Sequence, residues 1–212
     1  QAMAKHSAEL YNAEVARRAA ESSIGREGAH YIDFLLTHII QLSDGSTYGA
    51  EAFVFGSYEK YNNNSGGTMG DRRTPQTFSY FSWVSSGRCR MIVDIQGVDD
   101  LYTDPVVHFL PSHESGSFKT ADSPVNLGIR GFALFLWSHR YNEIDRLLQL
   151  PIFVLSRSEQ EARPPEACTI QDLHQGLGLQ TSTRDTATRK AETVSLASVR
   201  DIDLRATSFA SE

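Results

Sequence analysis

Asp94, Gln96 and Asp104 are the residues of this sequence whose types and spacing could do chemistry. They stand in the stretch DIQGVDDLYTDP, Asp94 to Pro105, which follows the apolar run Met91-Ile92-Val93. All three carry hard oxygen donors, the kind Mg²⁺ prefers: one or two carboxylates, an amide or waters, with substrate phosphates completing the octahedron. A second carboxylate held nearby could orient an incoming hydroxyl, as an aspartate does in phosphoryl transfer. Gly97 lets the backbone reverse, so the two acids can converge. The spacing by itself also fits a turn whose aspartates only cap backbone amides.

The elements around this stretch can be read from periodicity. Ala4, Ala8, Tyr11, Val15 and Ala19 recur at helical spacing, which predicts an amphipathic helix over 2–21. Tyr31 to Leu42 and Tyr48 to Tyr58 have extended character around the turn Ser43-Asp44-Gly45, which predicts a hairpin. KYNNNSGGTMGDRR, from Lys60 to Arg73, is a polar, glycine-rich loop, and Thr74-Pro75 starts an aromatic-rich helix. Cys89 to Val98 reads as a short buried strand leading into the motif. Asn126 to Leu150 is the longest periodic segment, apolar on every side at Phe132 to Trp137, and reads as one core helix stopped by Pro151. From residue 158 onward the chain turns rich in Ser, Thr, Arg and Glu, with Phe209 as its one aromatic, and is expected to be a mostly disordered tail.

With 212 residues there is room for one domain plus a tail. The net charge of -6 argues against a general nucleic-acid binder, which needs a basic face to displace counterions. No apolar run approaches the roughly 18 residues a membrane span requires. The first twenty residues mix Lys5, Glu9, Glu14, Arg17 and Arg18 into an alanine-rich pattern unlike a secretory leader. Cys89 and Cys168, in very different contexts, make a disulfide scaffold implausible and point to a reducing, cytoplasmic setting.

FVFGSYEKYNNNSG, TPQTFSYF, IVDIQGVDDLYTDP, NLGIRGFALF and HRYN occur together in that order. This series resembles the α-kinase family of atypical protein kinases, nearest in motif to its elongation-factor-2 and myosin-heavy-chain kinases. The resemblance runs from about Ala4 to Leu150. It implies an α+β, atypical protein-kinase-like fold: the end of the N-lobe plus the C-lobe, with residues 1–157 as the domain and 158–212 as the tail. It implies ATP and Mg²⁺ as ligands and Ser/Thr of a protein as substrate. Gln96 and Asp104 match the family's Mg²⁺ ligands. Asp94 matches the acid assigned to catalysis or to aspartyl-phosphate formation, and which of Asp94 and Asp104 orients the hydroxyl stays open. Glu51 matches the hinge glutamate beside adenine, and Lys60, Asn62, Asn63 and Asn64 match a segment near the cleft. Arg72 and Thr74 fall where close relatives bind a phosphothreonine of their own tail, for which Thr183, Thr186 and Thr193 are candidates. A calmodulin-like regulator is implied by resemblance alone.

Three departures qualify the match. The family's nucleotide-binding lysine and phosphate-covering loop lie upstream of the helix at which this chain begins, so the chain as given is expected to be inactive. The family's zinc ligands, one His in a Phe-Ser-His-Phe helix and a His-x-Cys-x-x-x-Cys, correspond to Tyr80, His139, Tyr141 and Asp145. Zinc wants four N or S ligands, so zinc is expected to be absent and His139 to be a hydrogen-bonded core histidine. The family's Gly-x-Gly-x-x-Gly reads Ser123-Pro124-Val125-Asn126-Leu127-Gly128, which stiffens a stretch that glycines leave free. These departures keep a second reading in view, a pseudokinase scaffold that binds a protein partner without catalysis. A third, an unrelated acidic metal-binding domain, requires the ordered motifs to be coincidence.

Overall fold

The computed structural model describes residues 1–23, 25–26, 28–110 and 125–161. The apolar stripe of the first segment produces helix α1, Ala2–Glu21, which buries Ala4, Ala8, Tyr11 and Val15 on one face. Its outer face is laced by Glu14 with Arg17 and Arg18 and by Arg17 with Glu21, pairs at helical spacing. Strand β1, Asp33–Phe34, does not join the predicted hairpin; it pairs in parallel with β7, Leu101–Thr103. The hairpin itself is shorter than its sequence pattern, β2 at His38–Gln41 against β3 at Thr47–Ala50, with Ile40 opposite Tyr48.

Strand β4, Tyr58–Lys60, pairs with β6, Gln96–Val98, and completes a four-stranded sheet of order β1-β7-β6-β4. Helix α2, Thr74–Ser85, has Pro75 in its first turn and is buried from Thr74 to Trp83. It lies across α1 and against β5, Arg90–Val93, which is paired with β8, Val106–Phe109. The core between these layers is aromatic. Tyr11 meets Phe78 and Phe81 edge-on at 5.8 and 5.5 Å, and Phe34 meets Tyr102 at 5.5 Å.

The expected single strand from Cys89 to Val98 is divided into β5 and β6, and the expected single helix from Asn126 to Leu150 is also divided. Helix α3, Ile129–Ser138, ends where His139 turns extended. Helix α4, Glu143–Leu147, restarts on Asn142, whose side chain accepts from the amides of Ile144 and Asp145 while Asp145 accepts from the Asn142 amide. That reciprocal capping box satisfies the backbone groups a continuous helix would otherwise pair, so the break is stable. Helix α5, Arg157–Glu161, takes in the first four residues of the expected tail, and the Trp137 indole donates to the Glu159 carbonyl at 3.1 Å. The remainder of the tail and Ser123-Pro124 lie outside the described residues.

Candidate active site

One long hairpin from Arg90 to Phe109 carries the motif. Its register holds throughout: Val93 faces Val106, Gln96 faces Thr103 and Val98 faces Leu101, with Asp99-Asp100 as the turn. The ladder is interrupted only at Asp94-Ile95 and Asp104-Pro105, which this register sets opposite one another. Proline has no N–H to give a ladder. Asp94 and Asp104 both take left-handed backbone, at φ 62° and 46°, a region that aspartate tolerates better than most residues. The hairpin therefore bends from one sheet into the other at a point flanked by two aspartates. Their ten-residue separation in sequence becomes adjacency across a strand pair. Gly97, at φ 155°, sits so near the returning strand that a Cβ there would lie 2.2 Å from the Leu101 carbonyl.

The side chains gather at this bend. Lys60, register-paired with Gln96, places Nζ 2.6 Å from Asp94 Oδ1. Gln96, almost fully buried, directs Nε2 toward Asp94 Oδ2 and the Asp104 carbonyl, each at 3.4 Å. Asp94 is thus held between a cation and an amide, while Asp104 is exposed. Glu51 reaches the same strand end, where Thr103 Oγ1 donates to it, joined by Thr37 and Gln1. The Thr103 hydrogen bond first, and those of Gln1 and Thr37 after it, hold the Glu51 carboxyl below the usual range. Tyr58, two residues before Lys60 on β4, is a member that sequence reasoning did not select. Partial burial, then the charges of Asp104, Asp94 and Glu51, push its phenol up. Its place on the same face of β4 as Lys60 was the available signal.

Asn62 and Asn64, expected side by side at the cleft, play different parts. The bend at Asp94 leaves Ile95 without ladder partners, and Asn62 supplies one: its Oδ1 accepts from the Ile95 amide at 2.9 Å. The Ile95 carbonyl accepts from the Tyr61 amide at 2.8 Å. Asn62 is fully buried, and its Nδ2 donates to Gln76 and Ser79 of α2 at 3.1 Å each. It is a positioning residue that fixes the backbone between Asp94 and Gln96, because no ligand can reach a side chain wholly spent on protein partners. Asn63 turns the loop, accepting from the amides of Ser65 and Gly67. Asn64 offers its carbonyl to His108 Nε2 at 2.7 Å, and His108 Nδ1 accepts from the Leu127 amide at 3.1 Å. These two partners define a neutral imidazole, and burial lowers its pKa.

Arg72 and Thr74 lie at the opposite, turn end of the hairpin. Arg72 pairs with Asp100, donates to the Asp99 carbonyl at 3.0 Å and stands over the Tyr61 ring at 5.5 Å. Thr74 is buried and its hydroxyl accepts from the His30 amide at 3.2 Å. Tyr80, His139, Tyr141 and Asp145 come together at a third place, between α2 and the α3–α4 break. Thr183, Thr186 and Thr193 lie outside the described residues.

Hard oxygen donors beside an ion-paired aspartate, with an exposed carboxylate next to them, suit a cation bound to phosphate. Gln96 and Asp104 are the residues that could hold such a cation, since Asp94 already has Lys60. Among the described residues there is no helix long and apolar enough to cross a membrane.

Comparison with known proteins agrees with this geometry. The profile of the alpha-kinase family matches residues 1–145. Eukaryotic elongation factor 2 kinase of Caenorhabditis elegans is 42% identical over 132 residues, which are 62% of this chain and 16% of that protein. Myosin heavy chain kinase C of Dictyostelium discoideum is 37% identical over 153 residues, 70% of this chain and 19% of that protein. The chain therefore spans less than a fifth of the length of these relatives. Among solved structures, the alpha-kinase domain of myosin heavy chain kinase A in complex with ADP superposes with a TM-score of 0.54 at 29% identity, over 71% of this chain and 59% of that one.

Proposed function

This chain belongs to the alpha-kinase family, and we propose that it forms the catalytic-loop lobe of a protein serine/threonine kinase transferring the γ-phosphoryl group of Mg-ATP to a protein substrate. The observation that carries the reading is the convergence of Lys60, Asp94, Gln96 and Asp104 at one bend of the hairpin. Catalysis of phosphoryl transfer is mainly positioning and charge stabilisation, and these side chains can supply both. Gln96 and Asp104 would hold Mg²⁺, which neutralises charge on the phosphates. Asp94, ion-paired with Lys60, would face the transferring group or the incoming hydroxyl. Glu51, at the rim through Thr103, would meet the adenine.

The hairpin β2–β3 bears on how the nucleotide's phosphates are met. Both its faces are exposed, with Ile39 at 72%, and the following segment leaves Phe53 and Phe55 at 80% and 89%. A lone two-stranded hairpin is marginal in water, and contiguous exposed apolar side chains mark contact surfaces. This supports a reading in which further strands cover the face and bring the phosphate-binding lysine. Arg72 is proposed to release Asp100 for a phosphothreonine of the tail, a step that needs Thr74 only as a buried support. A cytoplasmic protein with a calmodulin-like regulator completes the proposal by family likeness.

A pseudokinase scaffold is the competing reading, favoured by the tyrosines that stand at the family's zinc positions. Phosphotransfer by the full-length protein, wild type against Asp94→Ala and Asp104→Ala, decides between them. Activity abolished in both variants supports the kinase. No incorporation by the wild type supports the scaffold, and equal incorporation in all three proteins would refute the roles given to Asp94 and Asp104.

A further inference from the structure

The cluster of Tyr80, His139, Tyr141 and Asp145 is where family likeness implies zinc, and its donor chemistry can be tested side chain by side chain. Zinc is held by four donors, drawn from thiolate, imidazole nitrogen and carboxylate oxygen. Here one imidazole and one carboxylate are present, and they are engaged with each other: His139 Nε2 stands 2.9 Å from Asp145 Oδ2, with both side chains fully buried. The same Oδ2 accepts from the Asn142 amide at 2.8 Å, so the carboxylate is committed to the start of α4. Asp145 Oδ1 has no hydrogen-bond partner among the described residues, but one imidazole and one carboxylate fall short of the four ligands zinc needs.

The two phenols turn away from that pair. Tyr80 donates to the Pro151 carbonyl at 2.5 Å, and Tyr141 donates to the Leu150 carbonyl at 3.1 Å. Burial, and after it the charge of Asp145, push both phenols up, so they remain protonated donors. The rings fill the remaining space. His139 stacks on Phe135 at 5.4 Å and 17°, and packs on Tyr80 at 5.0 Å, while Phe153 meets Tyr80 edge-on at 5.6 Å. Apart from the His139–Phe135 stack at the end of α3, these contacts join different elements: α2 through Tyr80, the end of α3 through His139, α4 through Asp145, and the strap after α4 through Leu150, Pro151 and Phe153.

We propose that this locus is a metal-free clamp, closed by the His139–Asp145 pair and two tyrosine hydroxyls, which makes the folding of this lobe independent of zinc. The links a zinc ion would make between elements are made instead by one buried pair and two hydrogen bonds to a strap that has no strand partner among the described residues. A buried pair of this kind depends on both members, since removing one strands the other without solvent. The proposal holds whether or not the protein transfers phosphate.

The test uses the full chain produced with zinc supplied, followed by zinc analysis and thermal unfolding with and without a strong chelator. The clamp predicts no stoichiometric zinc and a midpoint the chelator leaves in place. Stoichiometric zinc, or a midpoint lowered by chelator, overturns it. Tyr80→Phe and Tyr141→Phe remove only the hydroxyls and keep the rings, so both variants fold. Each should lower the midpoint by about 2–4 °C, the shift that one net hydrogen bond is worth in a domain of this size. Wild-type midpoints in both variants would show that the hydroxyls fasten nothing and would also overturn the clamp.

Discussion

Replacing Asn62 by alanine isolates the side chain that fixes the active-site bend. The substitution removes the acceptor of the Ile95 amide and the two donors to Gln76 and Ser79, all fully buried. A net hydrogen bond is worth about 1 kcal/mol and a buried amide left unpaired costs about 1–3 kcal/mol, so the loss should be about 3 kcal/mol. In a chain of this length that corresponds to roughly 6–12 °C in the melting midpoint. Because Ile95 stands between Asp94 and Gln96, phosphotransfer at a temperature where the variant is folded should fall in kcat more than in KM. Asn64→Ala is the control: its carbonyl, not its side chain, holds His108, and its side chain meets only Ser65 at 3.4 Å. The control should cost under about 0.5 kcal/mol. Urea titration of the two variants measures both numbers. Equal losses, or an Asn62→Ala loss under about 1 kcal/mol, would refute the positioning role.

Other perturbations test neighbouring parts of the account. Gly66→Ala should destabilise strongly, by more than about 3 kcal/mol, since its φ of 81° and a Cβ 2.5 Å from Phe135 Cα leave no room to adjust; urea titration reads it. His108 has a folded-state pKa below its unfolded value, so its contribution is complete above about pH 6.5 and is lost as pH falls toward the lowered value. His108→Gln, which keeps a donor for Asn64, should therefore show a flatter stability profile than wild type over that acidic window; parallel profiles would contradict the neutral-histidine assignment. Lys60→Met should cut the rate of phosphotransfer while leaving nucleotide affinity less affected, measured by single-turnover kinetics and nucleotide titration. Arg72→Ala should cost about 1 kcal/mol through Asp100 and Tyr61, and should blunt autoactivation of the full-length protein if a tail phosphothreonine docks there.

Much of the site was legible because it is local. Asp94, Gln96 and Asp104 belong to one hairpin, although the reversal expected at Gly97 falls at Asp99-Asp100, with Gly97 inside β6 opposite Tyr102. The first helix was legible for the same reason, with its stripe of Ala4, Ala8, Tyr11 and Val15. What escaped was set by distant partners. Asn62 reads as a loop residue until the bend at Ile95, thirty-three positions later, creates a backbone group that needs it. Two-residue β1 exists only because Leu101 and Tyr102 lie beside Asp33 and Phe34. The break between α3 and α4 had a local signal, Asn142-Glu143-Ile144-Asp145, which the apolar run before it concealed.

The most direct measurement is phosphate incorporation from Mg-ATP into protein serine or threonine by the full-length protein, with Asp104→Ala beside it at matched folding. Incorporation by the wild type and its loss in the variant are expected, because Asp104 stands exposed beside the Gln96 amide at the bend. Undiminished incorporation in the variant would contradict this expectation.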